Sequence, residues 1–462
     1  MPSTVADLRA QGRAARDALA RSEHAALPLA ADRDPERVLV DQHATRLQDL
    51  VAVRVGRMLQ SPFALFRGSA AQMAADLAHG PSTTQHVVAC GDAHLSNFGL
   101  SASPERALLF DLDDFDEGGV APWEWDVKRL AASVHVAGRD AGLTEEQSRE
   151  AVLRTTTGYR DALAEMAELT ALERYFLRVD AEAVEALVDD KASRRLTREV
   201  ARKARRRTAD RVLERITTRD ADGALRILDE PPITRHMDHA TLDELDVLFA
   251  DYRATLREDA RLLLSQFTLV DVVLRVVGVG SVGTRCYVLL LVGPGGEPLF
   301  LQAKEAGRSV LVSHGGMADA DTAYPQAGVR SEGHRVVCAQ RVLQAQSDPF
   351  LGWIEGWAGD LPGRPRVDYY WRQFRDMKGS VELDDLSPSQ LGQYGALCAR
   401  MLARAHAQSP QAHAASAYLG RSDRMPEALA DWARSYADVT EADHATLETA
   451  VAAGRLPVER DV

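Results

Sequence analysis

The sequence predicts an α+β fold in which a small β-rich unit sits against a helical body. Between residues 269 and 304, three apolar runs rich in β-branched residues follow one another at turn spacing. Over residues 1 to about 60, and again from Val134 to about Leu263, apolar positions recur at helical spacing. Between these helical stretches, residues 87–117 read as a short apolar strand, a polar turn and a second strand. The turn carries Asp92, His94 and Asn97. The second strand, residues 107–110, runs into Asp111, Asp113, Asp114 and Asp116. A carboxylate, an amide and further carboxylates are thus expected at the ends of two neighbouring strands.

With 462 residues and 45% hydrophobic content, the chain is long enough for two or three packed units. Its formal charge of -13 argues against a general nucleic-acid binder. No run approaches the about 18 apolar residues of a membrane span, and the N-terminus is charged throughout, without the apolar core of a signal peptide. Cys90, Cys286, Cys338 and Cys398 form no C-x-x-C pair, so neither a zinc site nor a disulfide framework is suggested. A cytoplasmic protein is expected.

In chain order, Leu47, Leu50, Val51, Val55 and Met58 form a plausible buried stripe of a helical lead-in. Residues 61–68, SPFALFRG, read as an aromatic turn that Pro62 and Gly68 separate from helix on both sides. Its Arg67 is placed to meet a phosphate or a carboxylate, or to form a surface ion pair. A helix opens at Trp123, with Asp126 in its first turn, where a carboxylate takes orphan backbone N–H groups. From Val134 to about Leu263 only helices and short polar turns are predicted, with a connection at residues 229–232. The basic run 191–207 has no interleaved aromatics and reads first as a solvated face.

Character changes at Phe267. The first strand of the β-rich segment leads into Gly278-Val279-Gly280-Ser281-Val282-Gly283, and a second strand follows at once. A dinucleotide-binding fold needs a helix after such a turn, whereas a kinase-type glycine loop is the bend of a β-hairpin. The third strand ends at Lys304, where a phosphate-pairing lysine would stand. Residues 332–343 should form a helix packed on this sheet, with Glu332 or Glu305 as the acid for Lys304. Residues 367–374 read as a further strand and a candidate adenine hinge, followed by residues 376–380. Leu391, Tyr394, Cys398, Met401, Leu402 and Ala405 mark a last core helix ending at His406, before a polar helical tail.

Phosphoryl transfer from ATP needs a carboxylate that orients or deprotonates the acceptor hydroxyl, and an Asn with another Asp to hold Mg²⁺. A Ca²⁺ loop of EF-hand type is excluded, because Phe115 and Asp116 stand where a ligand and a glycine are required. The run from Gly91 to Asn97, GDAHLSN, resembles the G-D-x-H-x-x-N catalytic loop of aminoglycoside and choline kinase-like phosphotransferases, with Cys90 where that family has His. Residues 110–113, FDLD, resemble the metal-binding strand end of the same family. The resemblance implies Asp92 as base or hydroxyl-positioner within a catalytic loop that includes His94. It implies Asn97 and Asp111 as metal ligands, with Asp113 or Asp114 for a second ion. It further implies Gly278, Gly280, Ser281, Gly283 and Lys304 on the phosphates, with Glu332 beside them, and Asp126 as a brace.

The order of parts is rotated relative to such kinases, because the catalytic loop precedes the glycine loop. A circular permutation of a two-lobed kinase-like fold with extra helices accounts for every segment. It requires residues 391–407 to lie beside residues 88–97. The expected division is a helical segment 1–87, a catalytic-loop part 88–262, a small nucleotide-binding lobe 263–380 and closing helices 381–462. As a whole the chain resembles a bacterial domain-of-unknown-function family marked by GDAHLxNFG, FDxxDFDE, WDxKRLAAS, VVGVGSVGTR and RDMKGS. The expected activity is ATP- and Mg²⁺-dependent phosphoryl transfer to a hydroxyl of a small molecule. The alternatives are a nucleotide-binding pseudoenzyme acting as a regulator, or an AMP transferase on the same fold.

Overall fold

A computed structural model describes residues 3–207, 209–220, 223–236, 242–317, 331–357, 366–374 and 377–460, and the fold is α+β. Four long helices form the body: Trp123–Asp140, Glu145–Glu168, Pro388–His406 and Arg424–Ala452. The last core helix is as the sequence predicts, since Leu391, Tyr394, Cys398, Met401, Leu402 and Ala405 are all buried. It packs on Glu145–Glu168 at very close range. A Cβ on Gly395 would stand 2.1 Å from Thr155 Oγ1, so only glycine permits this approach.

Two small hairpins lie on this body. Strand β1 (His86–Ala89) pairs with β4 (Gly119–Pro122), and β2 (Phe98–Ala102) pairs with β3 (Leu108–Leu112), both antiparallel. This corrects the expectation that the strands flanking the polar turn are neighbours. Each takes its own partner, because the chain forms a strand directly after Asn97 and another after Glu117. Residues Pro62–Gly68 form a short helix rather than a turn, with the Ser61 hydroxyl capping the Ala64 N–H and Pro62 in the first turn.

The region read as wholly helical contains strands β5 (Thr217–Arg219), β6 (Leu225–Ile227) and β7 (Thr234–His236). The last of these joins the large sheet formed with β8 (Thr268–Arg275), β9 (Cys286–Val292), β10 (Pro298–Ala306), β11 (Gly352–Trp357) and β12 (Arg366–Gln373). All neighbours are antiparallel in the order β11-β12-β10-β9-β8-β7. The sheet therefore begins before residue 263.

Its central strands read as unbroken apolar runs because both faces are covered. On one face Phe249, Tyr252 and Leu264 pack over Leu289, Leu291, Leu301 and Trp371, with Tyr252 stacked on Trp371 at 4.3 Å between ring centroids. On the other, Ile216 and Ile227 cover Val273, Val288, Leu290 and Phe300. Helix Glu332–Leu343 joins sheet to body, its Val336 and Val337 entering the same core as Leu112, Tyr370 and Leu402. The chain ends clasp each other: Arg33 pairs with both Asp76 and Asp443, and Arg455 with Glu36. Among the described residues no helix is long and apolar enough to cross a membrane.

Candidate active site

The GDAHLSN turn follows β1 and is held from behind. The Asp126 carboxylate accepts the backbone N–H groups of Cys90 (2.6 Å) and Gly91 (2.9 Å), as expected of a brace at this helix start. His406 Nε2 lies 3.1 Å from the same carboxylate, and its Nδ1 is 2.7 Å from the Tyr159 hydroxyl. The Tyr394 hydroxyl donates to the Leu95 and Phe98 carbonyls (3.2 and 3.0 Å). Residues 391–407 thus lie beside the turn. The buried Cys90 thiol donates to the Asp114 carbonyl, which ties the turn to the acidic segment.

Asp92 accepts from Arg129 Nε at 2.7 Å. Burial raises its pKa above the usual carboxylate value, and Arg129 opposes this. Arg129 also donates to the Phe66 carbonyl (2.7 Å) and lies 3.9 Å over the Phe66 ring, so it is rigidly placed. Its signal in the sequence is its place one helical turn after Asp126, on the same face. His94 is buried, accepts the Ser96 N–H at Nδ1 (3.2 Å), and burial beside Arg129 and Arg67 lowers its pKa well below the usual value. The Asn97 amide donates to the Asp92 carbonyl at 2.7 Å.

The aspartates at 111, 113, 114 and 116, the first within β3 and the others after it, do not share one set of partners. Asp111 is buried and accepts the N–H groups of Leu112 (2.9 Å) and Ala345 (2.7 Å), with Arg404 as its nearest favourable charge. Its carboxylate joins β3 to the residues just after helix Glu332–Leu343, and Asp113 acts on it as a like charge. Asp113 pairs with Lys378 at 2.6 Å. Asp114 lies 3.7 Å from Lys304 Nζ, and Asp116 pairs with the same amine while accepting from the Tyr370 hydroxyl (2.6 Å).

Lys304 on β10 is therefore partnered by Asp114 and Asp116, and by neither acid expected from the sequence. Glu332 pairs with Arg335 (2.5 Å) and Glu305 with Arg285 (2.9 Å). Burial works against the charged amine, but the two aspartates outweigh it and hold its pKa well above the usual value. Burial likewise opposes ionisation of Asp114, yet Lys304 and Arg372 bring its pKa down to about 2. Arg335 fixes the acidic turn to the sheet by donating to the carbonyls of Asp116, Gly118 and Gly307. Its spacing from Glu332 is the only sequence signal for it.

The glycine segment 278–283 joins β8 to β9, so a strand follows it as read from the sequence. Gly278 and Gly283 hold positive φ values of 65° and 86°. Next to the acidic turn, Glu117 accepts the Val310 N–H at 2.7 Å, and burial pushes its pKa up to about 7. Segment 377–380 adds to the β2–β3 hairpin through paired bonds between Gly379 and Leu100 (2.7 and 2.9 Å). Asp376, named with that segment, lies outside the described residues. The basic helix Lys191–Arg205 behaves as a solvated face, its Arg195, Arg198 and Arg205 pairing with Glu199, Glu185 and Glu182.

Asp114 and Asp116 thus meet Lys304, Asp114 also acts electrostatically on Asp92, and the Asp113 N–H donates to the Asn97 carbonyl (2.9 Å), while Asp111 is bonded to Leu112 and Ala345 and Glu332 to Arg335. Among the described residues, no three or more His, Cys, Asp or Glu side chains are grouped so as to hold a metal ion. A family model described as an uncharacterized protein conserved in bacteria (DUF2252) matches residues 46–450, and the chain belongs to that family. No curated protein and no solved structure gives a match.

Proposed function

We propose that the protein is an ATP- and Mg²⁺-dependent phosphotransferase acting on a hydroxyl of a small molecule. The observation that carries this is the meeting of Lys304, from the third strand of a glycine-turn meander, with Asp114 and Asp116, just beyond the turn that bears Asp92 and Asn97. The sheet order supports the kinase-like reading, since a helix separates β10 from β11 and β12 then inserts beside the lysine strand. The contact of Pro388–His406 with the Asp92 turn supports a circular permutation of that fold.

In this reading Lys304 and the glycine-turn amides bind the nucleotide phosphates, and Asp92 orients the acceptor hydroxyl. The residues fit Mg²⁺, which takes hard oxygen ligands and commonly only one or two carboxylates together with substrate phosphates. Asn97 and Asp114 would hold it, with Asp113 beside them, and Asp111 would be left to brace Leu112 and Ala345. When bound, the ion neutralises charge on the transferred phosphoryl group. Arg129 keeps the buried Asp92 carboxylate aligned, and Asp126 with His406 holds the backbone of its turn.

A second reading, a nucleotide-binding regulator, is favoured by one feature: Lys304 and Asp92 each already have a counter-ion. Turnover separates the two. Incubation of wild-type protein with Mg²⁺-ATP and a panel of small hydroxyl compounds should release ADP above the solvent rate, with Asp92→Asn lowering it at least about 100-fold. Release of pyrophosphate instead would indicate AMP transfer, and no turnover with nucleotide bound would favour the regulator.

A further inference from the structure

The N-terminal segment, to which the nucleotide reading gives no task, reaches the glycine turn. The Leu47 backbone N–H donates to the Gly283 carbonyl (2.7 Å), and the Arg57 guanidinium donates to the Gly278 carbonyl (2.6 Å). Both ends of the glycine turn are held by this segment. In the middle, a Cβ on Gly280 would stand 3.2 Å from the Arg67 carbonyl.

Two arginines of the segment come under the influence of the acids of the candidate site. Arg46 lays its side chain against Gly283, where a Cβ would stand 3.1 Å from its own Cβ, and donates through Nη1 to the Val282 carbonyl (2.5 Å). The carboxylates that act on it are Glu117, Glu305 and Asp116, the last of which also partners Lys304. Arg67 is fixed from both sides, since the Phe66 carbonyl accepts from Arg129 (2.7 Å) and the Gly68 carbonyl from Arg54 (3.1 Å). Asp92 and Glu382 are the carboxylates that act on Arg67. The Nε atoms of both arginines are buried and find no hydrogen-bond partner among the described residues.

A guanidinium carries five N–H donors, and burying donors without partners is unfavourable. An oxyanion meets several at once, through charge and paired geometry. We propose that Arg46 and Arg67 complete, with Lys304, the polyphosphate-binding side of the cleft, so that the N-terminal segment is part of the nucleotide site. The ligand class is a nucleoside triphosphate gripped through its phosphates, and the proposal rests on the nucleotide reading above. Burial lowers the pKa of both arginines, that of Arg46 only to about 10, so Arg46 is a cation at neutral pH.

The test is calorimetric titration of inorganic tripolyphosphate and, separately, of Mg²⁺-ATP into wild type, Arg46→Gln and Arg67→Gln, with melting curves of the free proteins. Wild type should bind both ligands, and each substitution should weaken both by about tenfold or more without loss of the folded state. If Arg67→Gln fails to fold, Arg67→Lys keeps the charge but loses the fork, and should weaken binding by a smaller factor. Variants that bind tripolyphosphate as tightly as wild type overturn the proposal. Tripolyphosphate binding that the substitutions weaken, with ATP binding no tighter, keeps the anion site and removes the nucleotide reading. A folded wild type that binds neither ligand overturns both.

Discussion

Glu117 shows how burial sets a residue's behaviour in this cleft. Its carboxyl group is raised from an ordinary value of 4.5 to about 7 by desolvation, against the pull of the Val310 N–H and Arg335. A raised carboxyl contributes stability that is fully present below pH 4.5 and is lost as pH rises through about 7. Glu117→Gln removes this titration while keeping an acceptor for Val310. Thermal melts at pH 5 and pH 8 should therefore show wild type losing stability relative to the variant, by on the order of 3 kcal/mol at most. Parallel curves would mean that Glu117 binds protons alike in the folded and unfolded states over this range. Lys304 works in the opposite sense, as the cation that lets Asp114 and Asp116 sit together. Lys304→Met should cost about 3 kcal/mol in urea unfolding by stranding two carboxylates, and adding Asp116→Asn should recover part of it. An additive double variant would show that the pair is not coupled.

At the level of elements, the helix Trp123–Asp140 organises the candidate site, because one face of its first turns presents Asp126, Arg129 and Ser133 to the Asp92 turn. Asp126→Ala removes the acceptor for two buried backbone N–H groups and a histidine, so a loss of about 2–4 kcal/mol is expected in denaturant titration. A loss under about 0.5 kcal/mol would place the brace elsewhere. This helix, the glycine hairpin, Lys304 at the end of β10 and the His406 helix were all legible, because each combines a strong period with a distinctive polar residue. The strand partners were not. Strands β2 and β4 are too short to carry a period of their own, and their pairing is decided by how the chain turns after Asn97 and Glu117. The surroundings of Asp111 were hidden for a related reason: position in a motif does not reveal which backbone groups a carboxylate meets, and Asp111 accepts the N–H groups of Leu112 and Ala345. The partners of Lys304 were likewise hidden, since they lie far away in sequence on a different hairpin.

Across the whole molecule, residues far apart in sequence build each part of the cleft. Residues 46–67 hold the glycine turn, residues 92–117 supply the acids, residues 268–306 supply the turn and Lys304, and residues 377–406 close on the Asp92 turn from behind. Under the proposed function these parts converge on a metal-dependent nucleotide site. The most direct test is calorimetric titration of ATP, with and without Mg²⁺, into wild type, Asp114→Ala and Asp111→Ala. Wild type should bind ATP more tightly with Mg²⁺, by about tenfold or more, and Asp114→Ala should lose that gain. Asp111→Ala should keep the gain while melting at a lower temperature. A folded wild type that binds no ATP, or an Asp114→Ala variant that keeps the full Mg²⁺ dependence, would contradict the account.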